Sequence, residues 1–164
     1  MMVKRADVDK QSRAWAFLFS SRQKTIPLLS RIIWSEVNKT DQEGTLFRNN
    51  TFSVGLMSSY AQEIGRPYLK QLLMPLAEWM CMVGGLNFEV NQEKADEVLD
   101  IEKNMSNLLQ ASHKYLDAIM ASIQQIPIEL RKVCNLLQCE VEKKFPLSVH
   151  TCVGGFIFLR FICP

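Results

Sequence analysis

The sequence lacks the motifs that commonly bind a nucleotide or a dinucleotide cofactor. It contains neither a Gly-x-Gly-x-x-Gly fingerprint nor a phosphate-binding loop with its lysine. An excess of charge of one sign is also missing, because the net charge of +2 argues against a strongly electrostatic nucleic-acid binder. No segment has a convincing strand pattern, and no repeat of fixed period occurs. These absences favour an all-α protein that does not bind nucleic acid.

Histidine is scarce, with residues at positions 113 and 150, and the five cysteines form no Cys-x-x-Cys pair. The sequence therefore predicts no metal site, since a structural zinc site needs about four such ligands at characteristic spacing. No cysteine has a histidine partner in helical register, and Ser112, His113 and Asp117 do not all lie on one face of their predicted helix. The chain is therefore not expected to be a hydrolase on its own. Buried, reduced thiols are the simpler expectation.

Long hydrophobic runs are absent as well. The most apolar stretch, residues 149–163, contains Arg160 and is too short to span a bilayer. The first ten residues include five charged ones, so no secretory signal is predicted there. We expect a cytoplasmic location, with the inner face of the plasma membrane as the alternative.

Apolar residues recur at helical spacing along much of the sequence. They form one stripe each in three predicted helices: Leu28, Leu29, Ile32, Ile33 and Val37; Val98, Ile101, Met105, Leu108, Leu109, Leu116, Ile119, Met120 and Ile123; and Leu130, Val133, Cys134, Leu137 and Val141. This pattern predicts a charged lead-in over residues 1–11 and one all-α domain over residues 12–164, built as an irregular array of helices. The predicted helices cover residues 12–19, 27–38, 51–65, 67–83 with a kink or break at Pro75, 93–123, 127–144 and 148 onward. Gly65 and Pro67 are expected to separate two of them. Acidic residues at 93, 96, 97 and 100 suit the positive end of a helix dipole better than a metal or partner site.

One loop lies between two predicted helices and has the sequence Thr45-Leu46-Phe47-Arg48-Asn49-Asn50. Gly44 is expected to end the helix before it, and the two asparagines tolerate unusual backbone angles and can cap the next helix. Leu46 and Phe47 should anchor the loop, which leaves Arg48 presented to solvent. A guanidinium presented in this way suits bidentate capture of phosphate oxygens. The alternative is an ordinary solvated arginine.

The last predicted helix is apolar nearly all round, which is typical of a core helix. Arg160 is unusual there, because a charge in such a helix needs a partner or must reach a cleft. The sequence ends at Cys163-Pro164 within this apolar pattern. We therefore expect the fold to be incomplete at its C-terminus.

Three blocks of sequence, in order and mutually spaced, carry a family resemblance. They are Thr45-Leu46-Phe47-Arg48 with Asn50, Gly65 and residues 68–76; Asn107-Leu108-Leu109-Gln110 with residues 118–119 and 126–131; and Phe145-Pro146 with Gly154, Phe158-Leu159-Arg160-Phe161-Ile162 and Pro164. Together they resemble the catalytic domain of Ras GTPase-activating proteins (RasGAPs), the neurofibromin type in particular. The resemblance extends from about residue 12 to the last residue and implies the irregular helical fold of that family.

The resemblance implies that Arg48 is an arginine finger, which enters the active site of a GTP-bound Ras-family small GTPase and stimulates its GTP hydrolysis. The partner would hold both GTP and Mg²⁺, so this chain would need no cofactor and would have no activity of its own. Arg160 resembles the arginine of the family's Phe-Leu-Arg motif, which steadies the finger loop through hydrogen bonds to main-chain groups. Thr45, Leu46 and Phe47 would shape the loop and, together with Leu159, bind the GTPase. Leu159 would face the GTPase, and Phe158 would lie in the core.

Two departures from the family pattern qualify this expectation. Asn49 stands where relatives often carry glycine or another small residue, although asparagine accepts left-handed angles better than most residues. The family pattern also continues beyond Pro164 into further helices. The alternative function is a non-catalytic GTPase-binding or scaffolding module of the same fold, but relatives that only bind tend to lack an arginine at the position of Arg48.

Overall fold

A computed structural model describes residues 5–21, 24–49, 51–94 and 100–164. Within these ranges the chain forms six α-helices and no strand, which confirms the all-α prediction. The helices are α1 (Arg5–Ser20), α2 (Thr25–Lys39), α3 (Phe52–Met82), α4 (Ile101–Ala121), α5 (Ile128–Lys144) and α6 (Val149–Phe156). Helix α6 continues directly into a π-helical turn, Ile157–Ile162. Short 3₁₀ helices are formed by Glu43–Thr45, Gln92–Lys94, Ile123–Gln125 and Pro146–Ser148.

Residue contacts divide the chain into two compact units. The first unit combines Met1–Arg66 with Pro127–Pro164, and the second comprises Pro67–Ile126. All residues of the candidate site described below belong to the first unit. None of the helices in the described part of the chain combines the length and the hydropathy needed to cross a membrane.

The core of the first unit forms where α5 packs against both α2 and α6. Each helix contributes side chains at intervals of three or four residues, the spacing that places them on one face. The buried members are Leu29, Ile33 and Val37 of α2, Leu130, Val133, Leu137 and Val141 of α5, and Cys152 and Phe156 of α6. Full burial stabilises the fold by about 1.5–3 kcal/mol for a leucine or isoleucine side chain. The apolar stripes predicted for α2 and α5 are confirmed.

The predicted helix boundary at Gly65 and Pro67 is wrong. Helix α3 runs without interruption from Phe52 to Met82 and includes both Pro67 and Pro75, so Pro75 does not break it either. Gly65 serves close packing, because a Cβ atom there would lie 2.2 Å from Cε2 of the Phe161 ring. From the local sequence alone, a glycine that leaves room for an aromatic ring cannot be distinguished from a glycine that ends a helix.

Two helix starts differ from those predicted by more than two residues. Helix α1 begins at Arg5 within the expected lead-in, seven residues before Ser12, since arginine, alanine, lysine and glutamine, which occur there, are good helix formers. Helix α4 begins at Ile101, and the Asp100 carboxylate caps it by accepting a hydrogen bond from the Lys103 N–H at 3.0 Å. The predicted first turn at 93 instead belongs to a separate 3₁₀ helix. Asp96 and Glu97 lie outside the described residues.

The apolar stripe predicted for α4 does not form a core within the described residues of the second unit. Buried α4 side chains are Asn104 and Ala111, whereas large apolar residues at 101, 105, 108, 109, 116 and 120 are exposed. Polar contacts tie α4 to the segment before it, where the Asn104 side chain donates to the Glu89 carbonyl at 2.7 Å. The Tyr68 hydroxyl also lies 2.7 Å from the Ser122 hydroxyl. Periodicity thus identified the helix but not the burial of its stripe.

Candidate functional site: an arginine loop and a π-helical turn

Residues 40–49, here called the arginine loop, connect α2 to the start of α3. Helix α2 ends at Lys39, before Gly44, so the expectation that Gly44 ends this helix is wrong. The loop instead forms two short turns through local hydrogen bonds. The Thr45 N–H donates to the Gln42 carbonyl at 3.0 Å, and the Arg48 N–H donates to the Thr45 carbonyl at 3.2 Å. These bonds link the first turn to the arginine itself.

The two apolar residues before Arg48 anchor the loop, as the sequence predicts. Leu46 is 4% exposed and Phe47 is 8% exposed. Phe47 also has a φ of +56°, a left-handed conformation that costs a non-glycine residue roughly 1–2 kcal/mol. The sequence prediction placed unusual angles at the asparagines; Asn50 lies outside the described residues, and the positive φ falls on Phe47. Such a conformation persists only where surrounding contacts hold it.

The guanidinium of Arg160 provides such contacts. Its Nη2 donates to the Arg48 carbonyl at 2.9 Å and reaches the Phe47 carbonyl at 3.5 Å. A charged donor makes a stronger hydrogen bond to a carbonyl than a neutral one does. The structure therefore brings Arg160 and the arginine loop together through main-chain groups, and this contact accounts for a charge in an otherwise apolar segment.

The π-helical turn that carries Arg160 is itself fixed against α3. The Ser58 hydroxyl donates to the Arg160 carbonyl at 2.8 Å, and the Gln62 amide donates to the Phe161 carbonyl at 3.2 Å. Ser58 and Gln62 are four residues apart, so they lie on the same face of α3. The Cys163 N–H closes the turn by donating to the Phe158 carbonyl at 2.9 Å. Single π-helical turns within helices are frequent at functional sites.

The Arg48 side chain, in contrast, is exposed. No hydrogen bond or ion pair joins its guanidinium to another residue in the described part of the chain. Its main chain is held while its charged end remains available. The helix that follows is capped by Thr51, whose Oγ1 accepts from the Val54 N–H at 3.3 Å and donates to the Glu36 carboxylate at 3.1 Å.

Comparison with known proteins matches this chain to one family. Residues 89–164 match the family model of the GTPase-activator protein for Ras-like GTPase, RasGAP. A probable Ras GTPase-activating-like protein, ngap, of Dictyostelium discoideum is 32% identical over 150 residues, which are 90% of this chain and 17% of that protein. The chain is related to the RasGAP family.

Other relatives support the same assignment. Neurofibromin-A of D. discoideum is 24% identical over 181 residues, 99% of this chain and 20% of that protein. Inhibitory regulator protein IRA1 of Saccharomyces cerevisiae is 28% identical over 165 residues, 97% of this chain and 5% of that protein. This RasGAP-related chain thus spans at most 20% of the length of these three relatives.

Two residues of the Phe-Leu-Arg motif have exposed side chains in this RasGAP relative. Leu159 is 66% exposed, in keeping with the expected surface position, but Phe158 is 42% exposed. The expectation that Phe158 lies in the core is wrong. Phe161, which is 1% exposed, fills the space beside Gly65 instead. Thr45 is exposed, and its hydroxyl donates to the Gln42 carbonyl at 2.8 Å within the loop.

Two thiols of the first unit, Cys152 and Cys134, have a raised pKa. Burial raises the pKa of Cys152; the Glu43 carboxylate raises it further, and the Arg48 guanidinium opposes both. Burial likewise raises the pKa of Cys134 to about 11. A reactive cysteine needs a lowered pKa, so the raised pKa of these two thiols does not suit a nucleophilic role.

Proposed function

We propose that this chain stimulates GTP hydrolysis by a Ras-family small GTPase in its GTP-bound state, by inserting Arg48 into the active site of that partner. One observation carries the proposal: the exposed Arg48 side chain extends from a loop whose main chain accepts a hydrogen bond from Arg160 at 2.9 Å. The relationship to RasGAPs supports the choice of partner.

The chemistry asked of Arg48 is electrostatic. In GTP hydrolysis, negative charge spreads over the transferred phosphoryl oxygens in the transition state, and a guanidinium supplied in trans stabilises it. For Ras with an activating protein, the established case, this arginine contributes about 10³–10⁵ in rate. The partner would hold GTP and Mg²⁺, and this chain would act as an activator without a cofactor or activity of its own.

The arrangement around Arg48 suits insertion of a preformed group. Leu46 and Phe47 are buried on one side of the loop, while Arg160 holds the carbonyls of Phe47 and Arg48. A group already held in place loses less freedom when it enters the partner's pocket, so more of the binding energy goes to the transition state. Exposed Leu159 and Thr45 would contact the GTPase beside the arginine.

The test is single-turnover GTP hydrolysis by a small panel of Ras-family GTPases with this chain and with Arg48→Ala. We expect the alanine variant to bind the GTPase normally but to lose acceleration by about 10³-fold or more. Arg31→Ala is the matched control, because Arg31 is an exposed arginine of α2 outside the loop. Unchanged acceleration in the Arg48 variant would remove this residue from the mechanism. Binding without acceleration by the unsubstituted chain would favour the scaffolding alternative.

A further inference from the structure

One stretch of chain contacts the arginine loop at three successive places. Lys144 reaches the first residue of the loop, Ser148 reaches its 3₁₀ turn and Arg160 reaches the carbonyls at its tip. We propose that Lys144 and Ser148 are positioning residues that hold the first half of the arginine loop as Arg160 holds the second. The inference rests on the proposed function of Arg48.

Lys144 fixes the direction in which the loop leaves α2. Its Nζ donates to the carbonyls of Thr40 at 2.7 Å, Asn38 at 3.0 Å and Val37 at 3.3 Å. These carbonyls lie at or just past the C-terminal end of α2, where most helix carbonyls lack intrahelical partners and the helix dipole is negative. An ammonium group has three donors, and all three are used here. The geometry also places Nζ 5.3 Å from the centroid of the Phe145 ring.

Ser148 holds the turn that follows. Its hydroxyl donates a hydrogen bond to the carboxylate of Glu43, the first residue of the 3₁₀ helix Glu43–Thr45. The last residue of that helix accepts the hydrogen bond from the Arg48 N–H. A displacement at Glu43 would therefore be passed to the main chain of Arg48 through one turn of the loop.

None of these contacts involves the Arg48 guanidinium. Their loss would leave the chemistry of the exposed arginine unchanged but would let its loop move relative to α5 and α6. Misplacement of a catalytic group by about 1 Å can cost about 10²-fold in rate. Loss of Lys144 should therefore lower the maximal rate of GTP hydrolysis while the concentration of chain that gives half of that rate changes little.

The decisive variant is Lys144→Met, which keeps a long apolar stem and removes all three donors. Lys143→Met is the matched control, because Lys143 is the neighbouring lysine and pairs with Glu140 of its own helix at 2.7 Å. In single-turnover hydrolysis we expect about a tenfold lower maximal rate for Lys144→Met, with the half-maximal concentration within about twofold and Lys143→Met unaffected. Ser148→Ala should give a smaller loss of about threefold.

Amide hydrogen exchange separates this inference from the proposed function. Exchange across residues 40–49 should accelerate in Lys144→Met and not in Lys143→Met. Equal maximal rates for the two lysine variants would overturn the inference. A slower rate of Lys144→Met with unaltered amide exchange in the loop would also overturn it, and so would a change in its half-maximal concentration without a change in its maximal rate. If the unsubstituted chain failed to accelerate hydrolysis, the proposed function would fall, and loop exchange would still decide whether Lys144 holds the loop. If Lys144→Met did not fold, Ser148→Ala would provide the same comparisons.

Discussion

Arg48 and Arg160 are in contact, yet they occupy opposite environments. The Arg48 side chain is exposed, and its carbonyl accepts a hydrogen bond. The Arg160 side chain is partly buried and donates that bond, while its own carbonyl accepts from Ser58. At Arg48 the main chain is held by a hydrogen bond while the side chain remains available. At Arg160 the side chain holds the loop, and the main chain is itself held by Ser58.

The difference shows how a loop can be rigid without its side chains being occupied. Arg160 binds the carbonyls of Phe47 and Arg48, which every residue type possesses. The positive φ of Phe47 belongs to the same segment as both carbonyls. Support through the main chain therefore leaves the charged end of Arg48 free for another molecule.

The largest effect on the hydrolysis rate is expected from a substitution of Arg48, whose side chain is exposed. Arg48→Lys keeps the positive charge but replaces a planar fork with a compact ammonium group. We expect the maximal rate of single-turnover GTP hydrolysis to fall by about 10²–10³-fold. The free energy of unfolding should stay within about 0.5 kcal/mol, because the side chain is exposed. A lysine variant that retained full acceleration would show that charge alone suffices and that the planar geometry is not needed.

A substitution of Arg160, which holds the loop, is expected to cause a smaller loss of rate and a clear loss of stability. Arg160→Ala removes a charge-assisted hydrogen bond to the loop, worth about 1.5–3 kcal/mol when buried and less at this partly exposed position. The rate should fall by about tenfold, since Arg48 remains but is less well placed. Parallel thermal unfolding and hydrolysis measurements test this, with Arg160→Lys expected to recover part of both losses. A variant unaltered in both would show that Arg160 does not support the loop.

Part of this contrast could be predicted from sequence alone. The four-residue spacing of Leu29, Ile33 and Val37 placed the α2 stripe correctly, because helical periodicity determines which side chains share a face. Two apolar residues before Arg48 likewise predicted a loop anchored on one side, with the arginine exposed.

The remaining features depend on contacts between residues far apart in sequence. No feature of the sequence around Gly65 indicates that the Phe161 ring packs against it. From its local sequence the glycine was therefore predicted to end a helix. The family resemblance implied a core position for Phe158, but in the π-helical turn Phe161 is the buried phenylalanine. The roles of Lys144 and Ser148 also appear only when the arginine loop lies beside them.

A substitution at Gly65 tests whether the packing of Phe161 supports the adjacent Arg160. Gly65→Ala would place Cβ 2.2 Å from the ring next to Arg160 in sequence, so we expect the free energy of unfolding to fall by about 1–3 kcal/mol. The hydrolysis rate should fall by less than in Arg160→Ala. Gly155→Ala is the control, since no atom lies within 4 Å of a Cβ there, and better helix propensity should stabilise it by up to about 1 kcal/mol. Equal stability of the two variants would mean that the ring moves aside without cost.

The smallest effect is expected from Ser58→Ala, which removes one hydroxyl from the back of the π-helical turn. The Arg160 carbonyl loses its 2.8 Å hydrogen bond, which should lower the free energy of unfolding by about 0.5–1.5 kcal/mol. The control is Ser59→Ala, at the adjacent, half-buried serine. Gln62 still donates to the neighbouring carbonyl, and the Arg160 guanidinium keeps its contacts with the loop. The hydrolysis rate should therefore change by less than about threefold. A loss as large as that of Arg160→Ala would mean that the main chain of the turn, and not the guanidinium, determines where the loop lies.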